Sequence, residues 1–263
     1  MLERMQKRPY EKISAFDGAN YLVRLYYKTG EKYRCTRTKV DKLLSIAGFV
    51  YMTQKAEPLY EQELRLMSAT GGIGFNEFSG WFFPEIVRGK ETETNKAIQG
   101  QLSKLTNQNT KIPLAYMDQY GDIKENIAKL LDSVFMRFGN YESNKLESAI
   151  AMFANNLAIE NSCGKIIIDP QKTHDYFVSA TFSSILPAVN EETIRNRATT
   201  LYNQIAPTKA LKKELLSGRN EKMVMSLFAE IAKKQIEEEN TVQRTYNEIV
   251  QFVKTENVRN VIE

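Results

Sequence analysis

TKVDKLLSIAGFVYM, residues 38–52, is the stretch on which the fold turns. Val40, Leu43, Leu44, Ala47, Val50 and Tyr51 recur at helical spacing and form one apolar face. Ile46 and Phe49 add apolar surface on a second face. A helix that is apolar on two sides is wrapped by other elements, so 38–52 is expected to be the central helix of the fold. Thr38 stands where an N-cap would, and Asp41 three residues on fits a capping box.

Outward from this helix the pattern stays helical. Before it, Ser14 and Asp17 fit a capping box, and Ala15, Ala19, Leu22, Val23 and Tyr26 share a helix face that Gly30 would close. After it, Pro58 interrupts the helix, and Leu59, Tyr60, Leu64 and Leu66 fit an extended segment or a short helix. Gly71, Gly72 and Gly74 mark a loop. Phe75-Asn76 follows, not the Lys-Ser/Thr that a phosphate-cradling loop requires. Phe75, Phe78, Trp81, Phe82 and Phe83 are the densest aromatic cluster. Either they close a core, or Trp81, Phe82 and Phe83 are presented as partner-binding anchors. Residues 88–112 are polar and weakly periodic, as in a long surface loop.

Residues 123–138 carry the stripe Ile127, Leu130, Leu131, Val134 and Phe138, ended by Gly139. Asn144 with Glu147 is expected to cap a helix whose buried stripe is Leu146, Ala149, Ile150, Phe153 and Leu157. Residues 164–170 are the best strand candidate, expected to pair with 178–186. From about 190 on the chain reads as four helices. They are marked by Ile194 to Ile205, Leu211 to Leu216, Val224 to Ile231, and Val242 to Val253. Glu237, Glu238 and Glu239 look like a solvated helix end. The expected fold is mainly α with a small β element, a multi-helix globular domain around 38–52. Its expected domains are 1–155 and a C-terminal extension, 156–263, of a short β element and then helices.

The 263 residues are 42% apolar and 26% charged, as in a soluble globular protein. The net charge of +4 is too small to argue for nucleic acid by itself. The first 60 residues are more uneven, with twelve Lys and Arg against six Asp and Glu. This suits a solvated face, or a docking surface for an acidic partner or RNA. Two distant cysteines, Cys35 and Cys163, make neither a disulfide framework nor a zinc site. The N-terminus has no signal-like apolar run, and no apolar stretch approaches the roughly 20 residues that span a bilayer. A reducing, cytoplasmic setting is therefore expected, with no membrane partner.

Chemistry is sparsely encoded. His174 is the single histidine, which excludes a His-rich metal site. Cys163 or Cys35 with His174, or Asp169 with Asp175, are the pairs from which a site would have to be built. No local motif supports either, and the GxSxG elbow is missing. No catalytic, cofactor or metal residues are assigned, and the chain reads as a non-enzyme. The segments 191–206 and 208–217, joined by Ala206-Pro207-Thr208, fit a helical hairpin or a helix-turn-helix bearing Lys209, Lys212 and Lys213.

Three stretches resemble the Panacea domain, an antitoxin-associated family of bacteria and their phages. One is Gly18-Ala19-Asn20-Tyr21-Leu22 with the later run from Lys39 to Ala47. The second is Glu57-Pro58-Leu59-Tyr60. The third runs from Leu131 to Asn140, followed by Leu146-Glu147. Together they cover roughly residues 17–155. The family's Trp-x-Tyr-Gly-Pro-Val-x-Pro motif survives only as Gly80-Trp81-Phe82-Phe83-Pro84-Glu85-Ile86-Val87, without its Gly-Pro-Val core. The resemblance implies a helical, non-catalytic binding domain. Members neutralise a co-encoded toxin by direct contact, and some deliver it to a protease. Their partner-specific part often lies outside the shared domain, a place the C-terminal helices would fill here. Two further readings remain: a phage or mobile-element protein that inhibits a host or defence factor, and a nucleic-acid-binding regulator.

Overall fold

Residues 42–53 are buried without interruption, so the central helix is enclosed as its two apolar faces require. In the computed structural model, which describes residues 12–28, 36–67, 72–76, 121–181, 186–217 and 220–258, this helix is α2, Arg37–Lys55. It begins two residues earlier than the Thr38 cap predicts. Thr36 is the N-cap, its hydroxyl accepting from Lys39 N at 3.2 Å. Asp41 is drawn away from the helix end and accepts Phe75 N at 3.0 Å. At the other end Ala56 takes a left-handed conformation (φ 52°) and its N–H returns to Met52 O.

The chain divides into two compact units, one within Met1–Ala180 and Glu248–Glu263, the other Thr181–Asn247. In the first, α2 meets α1 (Ala15–Lys28), α3 (Gly121–Phe138), α4 (Ser143–Leu157) and α5 (Pro170–Ser179). Phe49 joins two of these, lying against Phe153 at 5.5 Å and Phe177 at 5.7 Å between ring centres. The stripes expected on α3 and α4 are buried as predicted. The α4 cap is not. Glu142 precedes that helix without a side-chain capping bond and pairs with Lys145 at 3.2 Å, Asn144 accepts from its neighbour Lys145 N, and Glu147 turns toward Lys42.

A small open sheet completes this unit. Its strands are β1 (Leu64–Leu66), β2 (Ile73–Phe75), β3 (Ala158–Glu160) and β4 (Ile166–Ile168), in the order β2-β1-β4-β3 and antiparallel throughout. β4 is the expected strand, and it pairs with β3 and β1; of the expected partner segment 178–186, residues 182–185 lie outside the described residues and 178–179 are helical. Residues 170–179 are helix instead. Asp169 caps them by accepting Lys172 N at 2.8 Å, and Pro170 occupies the first turn, where its missing N–H costs nothing. Gly74 lies in β2 opposite Arg65, not in a loop.

In the second unit α6 (Glu191–Ile205) and α7 (Lys209–Leu215) precede α8 (Glu221–Val258). Residues 221–247 of α8 belong to this unit and the rest to the first. Ala198, Tyr202, Val224, Phe228 and Ala232 are its core, with Tyr202 and Phe228 edge to face at 5.6 Å. Arg197 pairs with Glu239 at 2.9 Å, and Asn240 donates to Pro187 O at 2.9 Å. α6 and α8 therefore run antiparallel. The two expected C-terminal helices are one helix of 38 residues. No Gly or Pro occurs between 221 and 258, and Glu237–Glu239 sit on a middle turn, where Lys233 pairs with Glu237.

Two substitutions test these placements. A Cβ at Gly74 would collide with the Asp41 carboxylate. Gly74→Ala is therefore expected to cost about 1–3 kcal/mol in a urea melt. Glu238→Pro should cost about 3 kcal/mol or more and lower helicity in circular dichroism, because the position is helix interior. A break in the helix at Glu237–Glu239 would tolerate it.

Candidate functional site

Two polar residues enter the enclosed part of α2 side by side, and their neighbours explain how. Lys42 Nζ donates to Ile73 O at 2.6 Å and lies 3.5 Å from Asp41 and 3.8 Å from Glu147. The Lys42 side chain is 3% exposed, so this small cluster satisfies it internally. Gly72 fits over it, since a Cβ there would meet both Glu147 and Lys42 at 3.1–3.3 Å. One turn earlier, Lys39 Nζ and Tyr26 OH both donate to Gly139 O, at 3.3 and 2.9 Å. That carbonyl is at the C-terminal end of α3, where a cation is favoured by the helix dipole.

Three tyrosines carry further links. Tyr60 is fully buried and donates to Leu44 O at 2.9 Å; burial, then the Asp41 charge, pushes its phenol well up. Tyr21 donates to Asp132 at 2.8 Å and is also raised, by burial first and then by that carboxylate. Tyr141 donates to Glu248, which Arg137 also contacts at 3.3 Å. Burial and then Glu248 push Tyr141 up to about 12, with Arg137 opposing. The Glu248 contacts, with Phe138 edge to face on Phe252 at 5.2 Å, hold residues 248–258 of α8 within the first unit.

His174 is on α5, and its Nδ1 lies 2.6 Å from Thr53 O. A carbonyl only accepts, so Nδ1 carries the proton and the ring ties α5 to α2. Asp175 accepts from Gln171 and Asp169 caps the helix, so neither carboxylate is turned on the imidazole. Cys163 is exposed at the tip of the β3–β4 turn. Cys35, Trp81, Phe82 and Phe83 lie outside the described residues, as do Phe78 and residues 88–112, expected as a loop. Phe75, the described member of the aromatic cluster, is a core residue packed edge to face on Tyr60 at 5.1 Å.

A cavity of about 200 Å³ opens beside β1 and β4, with Met52, Leu64 and Ile168 in its lining and Glu61 and Glu63 among its polar residues. It is smaller than the roughly 300–1,000 Å³ that small-molecule sites occupy. Among the described residues no group of three or more His, Cys, Asp or Glu is placed to hold a metal ion. No helix among them is long and apolar enough to cross a membrane.

The second unit presents a different kind of surface. Five of the ten large apolar side chains exposed among the described residues fall between Ile205 and Ile231. Three of them, Met223, Leu227 and Ile231, are spaced i, i+4, i+8 along α8 and are 64, 50 and 47% exposed. They run beside the buried row Val224, Phe228 and Ala232. Periodicity marked Leu227 and Ile231 together with Val224 and Phe228 as one apolar pattern, because two adjacent apolar rows look alike in sequence. Ile205, one of the residues that mark α6 in the sequence, is 60% exposed. Of the three α7 lysines, Lys212 is bound to Asn203 at 2.8 Å and lies over the Tyr202 ring, while Lys209 and Lys213 are exposed. Neither family models nor curated proteins nor solved structures yield a match to this chain.

Lys42→Met is expected to lower stability by about 2–4 kcal/mol, since Asp41 and Glu147 lose their cation and Ile73 O its donor. Glu147→Gln in that background should restore part of it, read by urea denaturation. Tyr141 gives an alkaline test. Its phenol holds its proton more tightly folded than unfolded, so stability is intact below pH 10 and declines as pH rises toward about 12. Tyr141→Phe should flatten that decline in melts taken between pH 9 and pH 12.

Proposed function

We propose that the chain is a non-catalytic, cytosolic protein-binding module of antitoxin type, neutralising or escorting a toxic protein in a bacterial or phage system. The observation that carries this reading is the exposed aliphatic row Met223, Leu227 and Ile231 with Ile205 and Leu211 nearby in sequence. Single exposed apolar residues are ordinary, but a run of them along one helix is a partner surface. The groups best suited to reaction chemistry support the same reading. Lys42, Asp41 and His174 are engaged in joining elements of the first unit. The residues that resemble the Panacea domain lie on α1, α2, α3 and the start of α4, with Leu59 and Tyr60 buried beside them. A framework of that kind with a separate contact surface is the division of labour that the resemblance implies.

The test is a pull-down of the tagged full chain from its native cell, with nuclease-treated controls, followed by co-expression with the captured protein. One stoichiometric partner whose toxicity is relieved on co-expression is expected. Leu227→Glu with Ile231→Glu should abolish capture and rescue while shifting the melting temperature by no more than about 3 °C, both sites being exposed. Capture of a non-toxic host or defence protein would instead favour an inhibitor encoded by a mobile element. Loss of signal on nuclease treatment, with affinity falling steeply in salt, would transfer the assignment to nucleic acid.

A further inference from the structure

The exposed apolar residues of the second unit are not distributed evenly over it, and neither is its charge. Described residues 205–234 contain six lysines and three glutamates. Described residues 186–200 and 237–247 contain three arginines and five glutamates. Because α6 and α8 run antiparallel, with Tyr202 on Phe228 and Arg197 on Glu239, these are two ends of one small bundle. Of the six large apolar side chains exposed among this unit's described residues, five are at the cationic end and one, Val189, is at the other. Lys209, Lys213, Lys222 and Lys234 are exposed there, and Lys234 follows Ile231 by three residues on the same side of α8. Leu211 is 42% exposed and stands one turn before Leu215, which packs on the Val224 and Phe228 core.

We infer that this end of the second unit docks an acidic amphipathic helix of a protein partner. The inference rests on the protein-binding reading above and specifies the partner's chemistry. Met223, Leu227 and Ile231 span about 12 Å, two turns of helix, and offer apolar contacts at a spacing that a second helix matches with its own i, i+4 row. Carboxylates flanking that row would meet the surrounding lysines, steering association and fixing orientation. The exposed large apolar residues of this end are aliphatic. A single-stranded nucleic acid needs aromatic faces for its bases, and an interfacial membrane helix commonly carries Trp or Phe among its apolar residues. Methionine at the start of the row adapts its shape to the partner.

The experiment uses the full chain and a fluorescein-labelled peptide of about 14 residues that alternates leucine pairs with glutamate pairs, roughly four helical turns. A peptide with lysine in place of glutamate is the control. Anisotropy should show saturable binding of the acidic peptide at least tenfold tighter than the basic one, with a gain of peptide helicity in circular dichroism. Leu227→Glu with Ile231→Glu should weaken it at least tenfold. Reversal of Lys209, Lys213, Lys222 and Lys234 to glutamate should invert the preference. The inference is overturned if the acidic peptide does not saturate, binds no better than the basic one, or is insensitive to the Leu227 and Ile231 changes. It is also overturned if phosphatidylglycerol vesicles or a single-stranded oligonucleotide, and not the peptide, show that sensitivity. Should a captured protein partner depend on Leu227 and Ile231 but not on the four lysines, the protein-binding reading stands and the acidic helix falls.

Discussion

A helix enclosed on every side has no water to complete its polar groups, and α2 brings Lys39, Lys42, Ser45 and Thr53 into that position, with Asp41 at its edge. Ser45 and Thr53 bond back to carbonyls one turn earlier within the helix, Asp41 O and Phe49 O. The charged residues reach outward to the neighbouring elements. Lys39 reaches the end of α3, Asp41 the backbone of β2, and Lys42 both β2 and Glu147 of α4. Apolar packing alone would allow these elements to slide along α2. The polar bonds have single solutions, and they fix the register of sheet and helices against it.

That arrangement explains which parts of the fold were legible in the chain. Two apolar faces on 38–52 announce an enclosed helix, and the stripes of α3 and α4 announce what surrounds it, because burial and period coincide there. Capping was less legible. Asp41 and Glu147 have the right spacing for capping boxes, yet both are used for tertiary bonds. The three-residue strands left almost no periodic signal, and β1 and β4 share only the pair Arg65 and Ile167. Asp169-Pro170 could have been read as a helix start from its chemistry alone.

The candidate surface was half legible. The apolar periodicity of Leu227 and Ile231 was visible, but it cannot report whether a neighbouring element covers the row. Coverage depends on where α6 and α7 run out, and α7 has only seven residues. The long uninterrupted helix was misread as two because Glu237, Glu238 and Glu239 resemble a solvated end, although carboxylates are good helix formers away from the C-terminus. Trp81, Phe82 and Phe83, the anchors expected from aromatic density, remain candidates that the described residues do not include.

The second unit is inserted into the first, entering after Ala180 and leaving at Glu248. This has a consequence during synthesis. Phe252 packs on Phe138, the Glu256 carbonyl accepts from Gln54, and Lys254 donates to Ala180 O, so the first unit lacks these contacts until the final turns of α8 emerge. At about 5–20 residues per second the ribosome needs roughly 4–16 s to pass from Ala180 to Val258. Through that interval the first core stays open, and the inserted segment is complete at Asn247, before the last turns of α8 close it. The order in which the two units mature is therefore the reverse of the order in which their sequences begin.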